Sequence, residues 1–418
     1  MKVLPLLFIF FSVSLCEVGN ISEGNNAALE RQIKMMNKPP VKTFVTAEGD
    51  TIDCIDIDKQ PSLEHPLLKN HKVQKEPTFH VTSFGMNFSF IKPTQFGLRE
   101  PCPIGTVPIS RMTKKDLIRA RALPRMPYSA SSKWDPLVQI QHTQCYLQVV
   151  SLVDNRIENI KYGAYGRTSI YNITVARDQF SSHNIWIQNG STDHVSMIVA
   201  GWTGNGYRDG CFNLLCPGFV LVDRRAVFNT PLNGYTYGGH QYELAILVQQ
   251  AIILNLKSNV KLLTCTFISG DENGSSTTRK IGDMRGCSDF TSNQDLMTGN
   301  WWLMIGYPPV KVGYWPMEIF SNLQNGALVT AWGGTGFAGS DGVCPPIGSG
   351  HKPDGDYRHA TYFRILNWID ANGVSVQPSK DVVERVDSDV YDLKNYHYDR
   401  DLGYWIGYGG PGGYCYYG

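Results

Sequence analysis

Ten cysteines, ten histidines and scattered acidic residues are the groups of this chain that could do chemistry. Their spacings match no metal site or serine nucleophile: His142, His240 and His351 lack a His-Glu-x-x-His arrangement, and Gly348-Ser-Gly-His351 is not a nucleophile elbow. A cysteine nucleophile would need a histidine close by to lower its pKa, and no local string supplies one. Cys211 and Cys216 enclose a short loop, for which a local disulfide is the favoured reading, and Cys265 and Cys287 would pair with each other. Trp301, Trp302, Tyr314 and Trp315 could line a cleft, but a sheet core also needs such side chains, and core is the better reading. Glu243 reads as a carboxylate on a solvated strand face rather than as a catalytic group.

The chain opens with Lys2 and an apolar run from Val3 to Leu15, too short to anchor in a bilayer, and residues 1–16 read as a signal peptide. Cleavage near Cys16 leaves nine cysteines in a compartment that permits disulfides, so at least one is unpaired or pairs elsewhere. Asn20, Asn87, Asn172, Asn189 and Asn273 each satisfy the N-glycosylation rule, which suits an exported surface. A net charge of +1 argues against a nucleic-acid partner, and no later stretch has the length and apolarity of a membrane span.

The elements that must position these groups are mostly strands. Leu29, Ile33 and Met36 share one helical face, which predicts a helix over 25–38 that Pro39-Pro40 stops. A second short helix is expected over 114–123, with Thr113 as its cap and Asp116 completing a capping box, and short strands over 42–57 turn at Glu48-Gly49-Asp50. Leu123-Pro-Arg-Met-Pro127 and the polar stretch Ser129 to Lys133 read as an exposed linker. Beyond about 139, apolar runs at 184–188, 196–202, 219–222, 242–249, 301–306, 327–332 and 361–368 alternate with turns. This rhythm predicts an all-β fold, an antiparallel two-sheet β-sandwich, behind a small α+β domain. Residues 249–298 break the rhythm and read either as a surface insertion or as translated intron sequence.

Taken together, these segments resemble the plant neprosin family, secreted proteins with an activation-peptide domain before a catalytic domain. The similar strings in the first region are Leu29-Glu-Arg-Gln-Ile-Lys, Asn37-Lys-Pro-Pro-Val-Lys-Thr43, Gly49-Asp-Thr-Ile-Asp-Cys54, Asp58-Lys-Gln-Pro61, His65-Pro-Leu-Leu-Lys-Asn-His71 and Cys102-Pro-Ile-Gly-Thr-Val-Pro-Ile109. In the second they are Ala200-Gly-Trp202, Gly210-Cys-Phe-Asn-Leu-Leu-Cys-Pro-Gly-Phe219, Gly299-Asn-Trp-Trp302, Gly313-Tyr-Trp-Pro-Met-Glu-Ile-Phe320, Trp332-Gly-Gly334, Gly348-Ser-Gly-His351 and Tyr408-Gly-Gly-Pro-Gly412. The resemblance divides the chain into a pro-domain at 20–125, with Cys54 and Cys102 as a candidate pair, and a catalytic-type sandwich at 139–418 with the insertion inside it.

The resemblance implies a glutamic endopeptidase zymogen that cleaves after proline, in the apoplast or cell wall, with its own pro-segment and proline-containing peptides as partners. Such chemistry needs two carboxyl groups and no metal or cofactor. One, ionised, takes a proton from the attacking water; the other, protonated, polarises the carbonyl and serves the leaving amine. The Gly-Tyr-Trp-Pro-x-Glu motif makes Glu318 one of them, with Tyr314 and Trp315 as candidate cleft aromatics, whereas the position before Ala-Gly-Trp holds Val199. Family members also carry more sequence between Ala-Gly-Trp and the Gly-Cys motif, where this chain runs from Trp202 almost directly to Gly210. Two functions remain open: an impaired peptidase zymogen, or a non-catalytic secreted glycoprotein acting as a binding or structural module of the cell wall.

Overall fold

A computed structural model describes residues 4–10, 26–46, 49–79, 91–93, 97–114, 117, 147–176, 178–191, 194–203, 218–228, 232, 237–251 and 298–415. Helix α1 (Asn26–Met36) packs Leu29 against Met112 and Leu117, with Ile33 and Met36 alongside, which are the face that the spacing predicts. Of the second expected helix, only Lys114 and Leu117 lie within the described residues. Strands β2 (Lys42–Val45), β3 (Thr51–Asp56) and β5 (Thr106–Ser110) form an antiparallel sheet in the order β2-β3-β5. A disulfide between Cys54 and Cys102, Cα atoms 5.6 Å apart, ties β3 to the segment that precedes β5.

The body is a two-sheet sandwich whose strands are β6 (Leu147–Asp154), β7 (Gly163–Ser169), β8 (Phe180–Ser191), β9 (His194–Thr203), β10 (Val220–Leu221), β11 (Gln241–Gln250), β12 (Trp301–Ile305), β13 (Val310–Trp315), β14 (Val329–Phe337), β16 (Thr361–Ile369), β17 (Ser375–Val376), β18 (Val383–Val386), β19 (Asp392–Asp399) and β20 (Gly403–Gly409), with β15 (Val343–Cys344) and β21 (Gly413–Tyr414) forming a separate antiparallel pair. Among the described residues, one sheet has six strands in the order β1-β9-β8-β14-β6-β18, where β1 (Leu4–Phe10) falls within the segment read as a signal peptide and pairs with β9 as an edge strand, so that its removal leaves the order of the other five unchanged. The other runs β10-β13-β12-β11-β7-β16-β20-β19, with β17 beside β16 and β4 (Ile91–Pro93) beside β11. The two are layered through one core, which receives Ile185, Ile187, Ile198, Ala200, Trp202 and Trp332 from the first sheet and Leu244, Ile246, Val248, Trp301, Trp315 and Phe363 from the second.

Strict alternation decides what each face carries. On β11, Leu244, Ile246 and Val248 enter the core, while Glu243, Ala245, Leu247 and Gln249 point to the outer face. Trp301 and Trp315 pair inward and Trp302 and Tyr314 pair outward, so the four aromatics divide evenly between core and outer face. A bulge beside Leu303 and Met304 lets Val312 face inward one residue out of step. Gly201 in Ala200-Gly-Trp202 is required by close approach, because a Cβ there would stand 1.8 Å from the carbonyl oxygen of His183.

Gln250 pairs with Trp301 and the Ala251 amide donates to the Asn300 carbonyl at 2.8 Å, so the segment 252–297 leaves and re-enters the sheet at one point. That segment, with Cys265, Cys287 and Asn273, lies outside the described residues, as do Cys211, Cys216, Asn20, Asn87 and the 123–133 linker.

Candidate functional site

The site begins with the hairpin of β12 and β13. Trp302 and Tyr314 stand side by side on its outer face, ring centroids 4.8 Å apart. After β13, Pro316 starts a single 3-10 turn, Met317–Ile319, whose first amide donates to the Asn300 side-chain oxygen at 3.0 Å. Ile319 and Phe320 are anchored in the core, which turns Glu318 outward with its side chain 44% exposed.

What meets Glu318 comes from the N-terminal domain. His71 Nδ1 lies 3.0 Å from the Glu318 carboxylate, and its Nε2 lies 2.8 Å from the Tyr314 hydroxyl. The same hydroxyl accepts the Gln74 amide at 2.8 Å, and the Gln74 side-chain oxygen accepts from Thr298 Oγ1 at 2.8 Å and Asn300 Nδ2 at 2.9 Å. A neutral imidazole with its proton on Nδ1 satisfies all of these contacts: it donates to Glu318 and accepts from Tyr314, which in turn accepts from Gln74. Glu76 pairs with Lys311 on β13, and Leu63, Val73 and Phe79 pack on the outer-face cluster of Trp302, Tyr314, Leu247 and Tyr165.

The N-terminal domain thus packs on the outer face of the β12–β13 hairpin and reaches Glu318. The hydrogen bond from His71 holds the Glu318 carboxyl below its ordinary pKa, against the opposing effect of burial. Burial pushes the Tyr314 phenol up, so it stays a neutral donor and acceptor. Glu318 is therefore an ionised, half-exposed carboxylate whose described side-chain partner is His71.

Val199 lies apart from this arrangement. Its side chain is on the outer face of the six-stranded sheet, packed with Val153, Trp186, Met197, Val329 and Ala331. The loop that carries Glu318 meets β9 at Ser196, whose hydroxyl contacts Ser321 Oγ at 3.2 Å and accepts from the Asn322 amide at 3.1 Å. Among the described residues, no hydrogen bond or ion pair joins Glu318 to β9.

Glu243 corrects an expectation. It is 5% exposed rather than solvated, because Arg364 grips both its oxygens and the Tyr362 hydroxyl donates to it at 2.8 Å. It cannot partner Glu318: six residues along β11 separate it from Gln249, which is level with Trp302 and Tyr314, and at about 3.3 Å per residue that is roughly 20 Å.

Of the acceptor asparagines, Asn172 is exposed, whereas Asn189 is half-buried and donates to the Gly326 carbonyl at 3.2 Å. A second disulfide, Cys344 with Cys415, was not legible in the spacing because its partners lie 71 residues apart. His71, Gln74 and Asn300 also escaped sequence reasoning. His71 ends one of the distinctive strings and Asn300 sits inside another, but nothing in either string says that the two regions meet. Among the described residues, no group of three His, Cys, Asp or Glu side chains could hold a metal ion, and no helix is long and apolar enough to cross a membrane.

Comparison with known families matches residues 193–254 and 275–411 to the family described as Neprosin and residues 43–144 to that described as Neprosin activation peptide. Together these cover well over half of the chain, and the interruption at 255–274 falls within the segment whose two ends meet between β11 and β12.

Proposed function

The chain belongs to the neprosin family, and we propose that it is a secreted glutamic-peptidase zymogen whose groove takes proline-containing peptides but hydrolyses them poorly. The observation that carries this reading is the seat of the pro-segment, which places His71 on Glu318 and Gln74 on Tyr314. A segment that must be held off a reactive group is expected to sit on it. The outward faces of Trp302 and Tyr314 beside Glu318 suit the flat apolar ring of proline.

Hydrolysis requires a second carboxyl, protonated, on the far side of the scissile carbonyl, and the resemblance offers Val199 for it. A valine neither gives nor takes a proton, so Glu318 acts alone as base, which costs about two to four orders of magnitude in rate. Export is supported by the apolar leader, the exposed Asn172 and the disulfides.

The second reading, a non-catalytic cell-wall glycoprotein that keeps the groove for binding, is favoured by the apolar seat of Val199. Hydrolysis of a proline-containing reporter peptide by acid-treated protein separates the two. Slow turnover that disappears in Glu318→Gln supports the impaired peptidase. Equal silence in parent and variant, with the peptide still bound, moves the protein to the binding reading.

A further inference from the structure

Asn300 is 1% exposed and its orientation is imposed, because its side-chain oxygen is committed to the Met317 amide at 3.0 Å. Its Nδ2 therefore faces the groove as a donor, and Thr298 Oγ1 supplies a second donor to the same point. Both converge on one acceptor, the side-chain oxygen of Gln74, while the Gln74 backbone amide is pinned to Tyr314. We propose that Thr298 and Asn300 form a carboxamide-reading subsite, filled here by Gln74 and open, once the pro-segment leaves, to a glutamine side chain of a peptide lying along Glu318. This rests on the reading that the outer face is a peptide groove, and it adds a specificity that proline recognition does not contain.

The geometry sets the selectivity. With the backbone held at Tyr314, a glutamine spans the distance to the donor pair and an asparagine is one methylene short. An apolar side chain of the same length leaves the buried Asn300 donor and the partly buried Thr298 hydroxyl without this acceptor, which weakens binding by about ten-fold. A glutamate would offer the oxygen but bring a second anion into a region where the Glu318 charge already acts on Tyr314. The spacing of the anchors, His71 on Glu318 and Gln74 on the pair, defines the ligand as a peptide whose glutamine follows three residues after the one that meets the carboxylate.

The test uses the full chain with a protease site placed at 129–133, nicked there and titrated with both pieces in solution at the acid pH at which size-exclusion shows the pro-piece released. A fluorescent peptide of the 68–79 sequence, Leu-Lys-Asn-His-Lys-Val-Gln-Lys-Glu-Pro-Thr-Phe, is titrated and its anisotropy followed, beside versions carrying Gln74→Leu, Gln74→Glu and Gln74→Lys. The glutamine peptide is expected to bind ten-fold or more tightly than the leucine peptide. In the protein variant Asn300→Asp, which keeps the oxygen that caps Met317 but removes the donor, that preference collapses and the lysine peptide gains; Thr298→Val reduces the preference without inverting it. Thermal melting checks that both variants remain folded. Equal binding of glutamine and leucine peptides to the parent, or an unchanged ratio in folded Asn300→Asp, overturns the subsite alone. Failure of every peptide to bind a folded, nicked protein overturns the peptide groove and the subsite with it. No turnover is read, so weak hydrolysis does not bear on the result.

Discussion

His183 is fully buried between the sheets, stacked on Trp202 with ring centroids 3.9 Å apart. Its Nε2 accepts the Gly348 amide at 3.2 Å, so its proton sits on Nδ1 and is donated to the Tyr408 oxygen at 2.8 Å, and Tyr408 passes its own proton to the Gly333 carbonyl. A second proton has no place, and burial pushes the His183 pKa down to about 3. The unfolded chain takes that proton near pH 6.5 and the folded chain refuses it, so this histidine's stabilisation is whole above pH 6.5 and is lost as pH falls towards 3. Between pH 7 and pH 4 the loss is roughly 3 kcal/mol. Urea titrations should show His183→Gln less stable at pH 7 but with a flatter decline to pH 4; an identical slope would exclude this group as the cause. Glu243 makes a different case. Glu243→Gln leaves the buried Arg364 guanidinium without its anion and should cost about 3–5 kcal/mol in chemical denaturation, with little effect on the Glu318 end of the groove.

The pro-segment is the element on which regulation turns. Besides its seat on Glu318, it docks through Gln60, 1% exposed, which accepts the Leu221 amide at 2.8 Å and donates to the Leu221 carbonyl at 3.1 Å. Nearby, the Cys102 amide donates to the Arg224 carbonyl at 2.8 Å and Arg224 Nε donates to the Cys102 carbonyl at 2.7 Å. Gln60→Leu leaves both Leu221 groups unpaired and should weaken docking by about 1–3 kcal/mol, read as faster hydrogen exchange in β10. The Glu318 contact adds a pH dependence of known sign. Because His71 lowers the Glu318 pKa, the contact stabilises the docked segment above the ordinary carboxylate pKa and is lost as pH falls through the lowered value. Size-exclusion of the nicked protein should show the pro-piece retained at pH 7 and released in acid, while Glu318→Gln removes that acid step.

At the scale of the molecule, the Cys344–Cys415 disulfide clamps the C-terminal end of the chain to the body across a sequence separation of 71 residues. Paired replacement by alanine should cost about 4 kcal/mol by chain entropy, seen in oxidising buffer as a melting temperature below that of the parent but above that of the reduced parent, in which the Cys54–Cys102 bridge is open as well. The short apolar runs bounded by turns determined the strands, since both are local properties: the run Leu244-Ala-Ile-Leu-Val248 predicts β11 without knowledge of its neighbours. The strings that carry the resemblance likewise determined the family and the order of its two domains. Which face each residue joins was decided only by folding. Trp301 and Trp302, or Tyr314 and Trp315, are alike in sequence, and the register between β12 and β13 sends one of each pair to the core and one to the outer face. Glu243 looked solvated because its counter-ion lies 121 residues away. His71 lies 247 residues from Glu318, and local pattern carries no record of a contact between segments that only the docking of the pro-domain brings together.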